Sequence, residues 1–152
     1  MKSTALVLTL IVLVIVAVIL VPRLAGGGGV APTPAVFDTG VTLDQALERS
    51  QTSGRPVFAL VTADWCPPCQ SLKRGALTDE RVTKAIESST EPVYVTDKSG
   101  HDVGRLGVRA FPTSVIIRDG EVVASLEGAA SAGRYLEWLE TNAATPEAGA
   151  AP

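Results

Sequence analysis

Runs of hydrophobic residues, separated by turn residues, predict four β-strands in this chain. The continuous apolar run Pro56–Thr62 is typical of a buried strand with helices packed on both faces. A second strand is predicted at Pro92–Thr96. Two β-rich runs, Thr113–Arg118 and Glu121–Leu126, are separated by Asp119-Gly120, and this dipeptide favours a tight hairpin.

Helical spacing of apolar residues predicts helices before, between and after these strands. Thr42 and Gln45 match a capping box, which marks the start of a first helix. A second helix is expected from Cys66 to Leu77, and Thr78 is expected to cap a third. The last helix is expected to be capped by Ser131 and to present a core-facing stripe: Ala132, Tyr135, Leu136 and Leu139. The order of elements predicts the α/β class, a mixed β-sheet flanked by helices.

The first 25 residues predict one N-terminal transmembrane helix. Residues 5–21 are apolar apart from Thr9, and together with residues 3 and 4 they would span roughly 28 Å as a helix, close to the hydrocarbon thickness. A cleaved signal sequence is the alternative, although its apolar region is usually about 7–15 residues long. We expect a single-pass cell-membrane protein with its domain on the periplasmic or extracytoplasmic side, or a secreted domain if the signal is cleaved.

Three further segments complete the expected organisation. Residues 26–36 are rich in glycine and proline and are predicted to be a linker. Residues 37–141 are predicted to be the folded domain, in which residues 97–107 form a loop with one helical turn. Residues 142–152 consist mainly of Ala, Pro, Gly, Thr and Glu, and they are predicted to be a disordered tail.

The only two cysteines, Cys66 and Cys69, lie where the buried strand gives way to a helix. The free N–H groups and dipole of a helix N-terminus stabilise a thiolate, and a thiolate is the nucleophile of thiol–disulfide exchange. A second thiol one turn away can resolve the mixed disulfide. Two thiols and the distant His101, expected on a surface loop, do not supply the four ligands of a structural zinc site. We predict neither a metal nor a cofactor, and the net charge of -3 without a basic stripe argues against nucleic acid.

Four pieces in the same order resemble the thioredoxin family. They are Trp65-Cys66-Pro67-Pro68-Cys69 after a buried strand, the segment Gly107–Thr113, the Asp119-Gly120 hairpin, and Gly128 before the last helix. The resemblance covers roughly residues 40–141 and is closest in character to exported or membrane-tethered members. It implies a thioredoxin-like fold and a thiol–disulfide oxidoreductase that acts on protein thiols and disulfides. It also implies a second redox partner that recycles the cysteine pair.

The resemblance also implies roles for the site residues. Cys66 would attack and is expected to be the exposed thiol, whereas Cys69 would resolve. Pro112 would be a cis-proline facing the disulfide, and it would expose the backbone of Phe111 for pairing with substrate. Trp65, Pro67 and Pro68 would complete the substrate-binding surface. Core packing is the alternative interpretation of Phe111 and of Trp65.

Two local features modify this expectation. Pro67 and Pro68 delete two N–H donors that could face the Cys66 sulfur, which leaves mainly Cys69. A moderately lowered Cys66 pKa, and hence a reductant or mid-potential exchanger, is therefore expected. Leu60 stands where the family usually has a buried carboxylate that takes a proton from the second thiol. Deprotonation of Cys69 would then rely on water, or on Asp64 if this residue, expected to be exposed, can reach Cys69. Exchange at neutral pH is expected to be slower than in family members that have the acid, with a steeper dependence on pH. This absence mildly favours an alternative, a binding or assembly module with a structural or regulatory disulfide. The intact Trp65–Cys69 motif and Phe111-Pro112-Thr113 favour the oxidoreductase, because a purely structural role does not need that pair.

Overall fold

The computed structural model describes residues 7, 10–18, 29–37 and 40–144, and the last range contains a four-stranded mixed sheet. The strands are β1 (Val57–Thr62), β2 (Glu91–Thr96), β3 (Thr113–Arg118) and β4 (Glu121–Glu127). Their spatial order is β2-β1-β3-β4, with β1 parallel to β2 and the other two pairs antiparallel. The predicted mixed sheet is confirmed, and every strand begins and ends within one residue of its prediction.

Helices flank this sheet on both faces. They are α1 (Leu43–Ser53), α2 (Pro67–Arg74), α3 (Glu80–Ser89), α4 (Gly100–Arg105) and α5 (Ala132–Ala143). Two of the three predicted caps are confirmed. Thr42 and Gln45 form the complete capping box of α1, and the Ser131 side chain accepts from the Arg134 N–H at the start of α5.

The helix predicted from Cys66 to Leu77 is in fact broken at Gly75. A 3-10 turn, Ala76–Thr78, follows the break, and Asp79 rather than Thr78 caps α3 by accepting the Arg81 N–H. Hydrogen bonds from Arg81 lower the pKa of Asp79 to about 2. The other differences are small. The predicted helical turn is the six-residue α4, and α5 continues through Ala143 into the predicted tail.

Position 75 requires glycine, because the backbone at this break leaves no room for a side chain. A Cβ placed there would lie 2.9 Å from the Ser71 carbonyl oxygen, which belongs to the backbone and cannot simply rotate away. We expect Gly75→Ala to lower the free energy of unfolding by about 1–2 kcal/mol. The matched control is Gly133→Ala in α5, where no atom lies within 4 Å of the added Cβ. In urea denaturation the control should be neutral or stabilising, by up to about 1 kcal/mol. Equal effects of the two substitutions would contradict this account of the break.

Strand β1 is buried along its whole length, and its two faces contribute to separate cores. Phe58 and Leu60 pack beneath α2, α3 and α5, together with residues such as Tyr135. Val57, Ala59 and Val61 face the other way, toward α1 and α4. The carboxyl end of β1 is therefore fixed between both helical layers, and this is the end that leads into the two cysteines.

Part of the predicted membrane anchor is described by the structure. Residues 10–18 are helical and their apolar side chains are exposed. In the described part of the chain, no helix meets the length and hydrophobicity needed to cross a bilayer, and the remainder of the predicted anchor lies outside the described residues. Residues 145–152 of the predicted tail also lie outside them.

The predicted linker requires a correction, because its second half packs on the domain. Ala31 and Val36 are buried. The Phe37 ring lies 5.8 Å from the Phe58 ring and 5.5 Å from the Tyr94 ring, measured between centroids. The prolines of this stretch favour an extended backbone, and the buried side chains on either side hold it against the domain.

Candidate active site

Cys66 and Cys69 form a disulfide at the start of α2, with their Cα atoms 5.3 Å apart. Cys66 is the N-cap residue of α2, and its Sγ accepts a hydrogen bond from the Cys69 N–H at 3.2 Å. Pro67 and Pro68 occupy the first two helical positions and have no N–H to offer. The expectation that Cys69 provides the remaining backbone donor is confirmed.

The expectation that Cys66 is exposed is wrong for the disulfide form. Cys66 is 3% exposed and Cys69 is fully buried. The half-buried Phe111 packs against the cluster of Ala63, Cys66 and Cys69, and its carbonyl oxygen lies 3.5 Å from the Cys66 Sγ. The cover comes from a loop 45 residues away in sequence, which no local pattern around the cysteines could indicate.

That covering loop contains the predicted cis peptide bond. The bond between Phe111 and Pro112 is cis, and Pro112 is buried immediately before β3 begins. The Pro112 carbonyl oxygen accepts the Gly128 N–H at 2.7 Å, which ties the loop to the end of β4. Phe111 and Pro112 thus lie beside the disulfide, as the resemblance implied.

Trp65 forms the exposed border of the site. It is 70% exposed, and its indole N–H donates to Asp97 Oδ2 at 2.8 Å. Its ring meets Phe111 edge to face, with 5.9 Å between centroids. Pro67 and Pro68 are exposed beside it. An apolar surface therefore adjoins the covered sulfur, and of its parts only the Asp97 anchor had no signal in the sequence.

The comparisons with known proteins agree with this geometry. Residues 43–143 match the family model described as a thioredoxin-like domain. The chain belongs to the thioredoxin-like family. It is 30% identical over 102 residues to a thioredoxin of Allochromatium vinosum, covering 67% of this chain and 94% of that one.

Solved structures show the same architecture for this thioredoxin-like chain. A thioredoxin from Thermus thermophilus superposes with a TM-score of 0.59 at 25% identity, covering 65% of this chain and 82% of the other. The oxidised C-terminal domain of Neisseria meningitidis DsbD gives 0.59 at 22% identity over 71% of this chain and 99% of that domain, a likeness of fold alone. The chain thus has a thiol–disulfide oxidoreductase fold with a disulfide-forming Cys-x-x-Cys pair.

The interior behind the thioredoxin-like disulfide differs from the expected family pattern. Leu60 is fully buried, and its register partner on β2 is Tyr94. The Tyr94 hydroxyl accepts a hydrogen bond from Lys73 Nζ at 3.2 Å, and this lysine side chain is 1% exposed. Lys73 Nζ also lies 3.8 Å from an Asp64 carboxylate oxygen, whereas the Asp64 side chain is 56% exposed, as expected. A buried lysine on α2, one turn after Cys69, therefore lies on the side where the family usually has an acid.

Sequence reasoning missed Gln70 and Lys73. Both are buried polar residues on α2, next to the cysteines or one turn beyond them. Polar side chains on a short helix normally indicate its solvated face, and only the contacts with other segments reveal the opposite. His101, by contrast, is exposed as predicted.

Proposed function

We propose that this protein is a membrane-tethered thiol–disulfide oxidoreductase that acts on protein disulfides outside the cytoplasm. Its Cys66 thiolate attacks one sulfur of a substrate disulfide, which forms a mixed disulfide and releases the first substrate thiolate. Cys69 then attacks the Cys66 sulfur, closes the internal disulfide and releases the second substrate thiolate. Two electrons pass to the substrate. A separate dithiol partner then supplies two more to reduce the Cys66–Cys69 disulfide and is itself oxidised to a disulfide.

The observation that carries the chemical part is the Cys66 sulfur at the N-terminus of α2, receiving the Cys69 N–H beside Phe111 and Pro112. One backbone donor stabilises a thiolate less than three would, and the two prolines provide none. A less stabilised thiolate lowers the reduction potential. We therefore propose a reductase or a mid-potential exchanger.

A structural disulfide is the less suitable interpretation of this pair. The bond closes a ring of only four residues, for which chain entropy predicts about 2 kcal/mol, near the low end for disulfides. Both cysteines are also held by the neighbouring strand and helix, with Ala63 and Phe111 packed around them. The fold therefore has little need of the disulfide, whereas thiol–disulfide exchange requires it.

The tether is supported by the apolar residues 5–21 and by the exposed apolar side chains of the helical residues 10–18. The distance to the membrane would be short. Residues 29–37 already contact the domain, so residues 22–28 would extend at most about 25 Å from the end of the span. This reach suits a recycling partner that is in the membrane or at its surface.

Two measurements on the full chain test these proposals separately. The reduction potential, equilibrated against dithiothreitol and glutathione buffers, is expected toward the thioredoxin value of about -270 mV. A value near about -120 mV would indicate a disulfide donor instead, and no reversible couple would favour a binding module. Alkaline carbonate extraction and protease protection of cells producing the protein address the tether. A domain that is retained and accessible from outside supports it, whereas a shortened and released domain indicates a cleaved signal.

A further inference from the structure

We propose that Gln70 is a positioning residue for the Cys66 sulfur, and that it couples this sulfur to the chain's own N-terminal segment. The segment in question is residues 29–37, called here the docked segment. Gln70 directly follows Cys69 in sequence, and it is only 9% exposed.

The Gln70 side-chain amide joins the docked segment to the turn that precedes Cys66. Its Oε1 accepts the Ala31 N–H at 2.7 Å, a buried hydrogen bond to the docked segment. Its Nε2 donates to the Asp64 carbonyl oxygen at 3.0 Å and lies 3.4 Å from the Ala63 carbonyl oxygen. Since a primary amide has one acceptor oxygen and two donor hydrogens, both ends of Gln70 are used.

The two carbonyl groups held by Gln70 belong to the turn that carries the attacking sulfur. The Ala63 carbonyl also accepts the Cys66 N–H, at 3.3 Å. The turn is therefore fixed by its own hydrogen bond and by Gln70. A shift of this turn changes the 3.2 Å hydrogen bond from the Cys69 N–H to the Cys66 Sγ, which matters because Pro67 and Pro68 supply no substitute donor. Gln70 thereby sets how well the Cys66 thiolate is stabilised.

The docked segment is held firmly enough to transmit this restraint. Phe37 stacks on Phe58, and Val36 is buried beside it in the main core. At the other end, the Gly29 carbonyl oxygen accepts a hydrogen bond from the Arg74 guanidinium at the end of α2. The segment thus runs along α2 from its last turn to the Gln70 side chain. The tether and the active-site turn share one hydrogen-bonded connection.

Two full-chain substitutions each remove one side of this connection. Gln70→Leu deletes the amide. Ala31→Pro deletes the N–H that the Gln70 oxygen accepts and puts the proline ring in its place, and Thr33→Pro controls for the effect of a proline in this segment. Matched controls are Ser71→Ala, an exposed residue of the same helix, and Thr33→Pro, an exposed residue of the docked segment. All are made in a Cys69→Ala background, which leaves Cys66 as the only thiol and retains the backbone N–H of position 69.

The readout is the rate of Cys66 alkylation by iodoacetamide from pH 5 to 9, together with the thermal midpoint of each variant. We expect both substitutions to raise the titration midpoint and to slow alkylation about threefold below it, because the thiolate loses part of its stabilisation. The double variant should shift no further than either single one. Unchanged midpoints, equal shifts in the controls, or shifts that add in the double variant would each overturn the proposal. A loss of stability without a shift would overturn it too, and would mark Gln70 as a packing residue. The result does not depend on the membrane tether, so either proposal can fail alone.

Discussion

Cys66→Ser abolishes disulfide exchange by this protein, with an expected loss of more than about a thousandfold in kcat/KM. The physical reason is that a serine hydroxyl is not ionised near neutral pH and is a poor nucleophile. The Cys66 sulfur at the N-cap of α2 receives the Cys69 N–H at 3.2 Å, and this hydrogen bond favours the nucleophilic thiolate. The fold should survive this change, because the disulfide closes a ring of only four residues. Reduction of a model protein disulfide with dithiothreitol as electron source measures the loss.

Cys69→Ser gives the complementary result, because the attack can proceed and the resolution cannot. A mixed disulfide between Cys66 and the substrate should accumulate, visible as a dithiothreitol-sensitive adduct on a non-reducing gel. Cys66→Ser provides the matched control and should form none. If Cys66→Ser trapped the adduct and Cys69→Ser did not, the assignment of attacking and resolving thiols would be reversed. If neither variant affected binding of a captured partner or its redox state, the binding-module alternative would gain the stronger position.

Leu60→Asp is a further change with a large expected effect, an increase of about tenfold in the exchange rate at pH 7. A carboxylate at position 60 would lie on the sheet face beneath α2, in the layer that contains Tyr94 and the buried Lys73. It would accept the proton that Cys69 must lose before it attacks Cys66. Thr62 lies on the same face of β1, and its buried hydroxyl has no hydrogen-bond partner among the described residues. That hydroxyl is an unused donor on the same sheet face as the new carboxylate.

The rate–pH profile separates this effect from a simple change in packing. In the natural chain the rate should rise steeply through neutral pH as Cys69 ionises, and Leu60→Asp should flatten this dependence. Leu60→Asn is the matched control, because an asparagine side chain has nearly the same shape as aspartate but cannot accept a proton. Both variants bury a polar group in place of a fully buried leucine, so both should lose several kcal/mol of unfolding free energy. Parallel profiles for the two variants and the natural chain would show that no internal base is missing.

The sequence predicted the fold well because its signals are local. Period-two and continuous apolar runs, the capping residues Thr42 and Ser131, and the Asp119-Gly120 turn each act within a few residues. The break at Gly75 was missed, because it depends on the path of the backbone after α2 rather than on any apolar period. The same locality made the junction of strand and helix at the two cysteines recognisable from the order of residues alone.

What the tertiary structure decided is the surroundings of the sulfur atoms. Phe111 covers Cys66 from 45 residues away, and Ala31 reaches Gln70 from 39 residues away. Such contacts form only when separate elements pack together, and no periodicity or spacing in the sequence records them. The sequence by itself determined which residues carry the chemistry, because a Cys-x-x-Cys pair needs only a helix N-terminus. Packing between distant segments determined how exposed that pair is and which groups hold it.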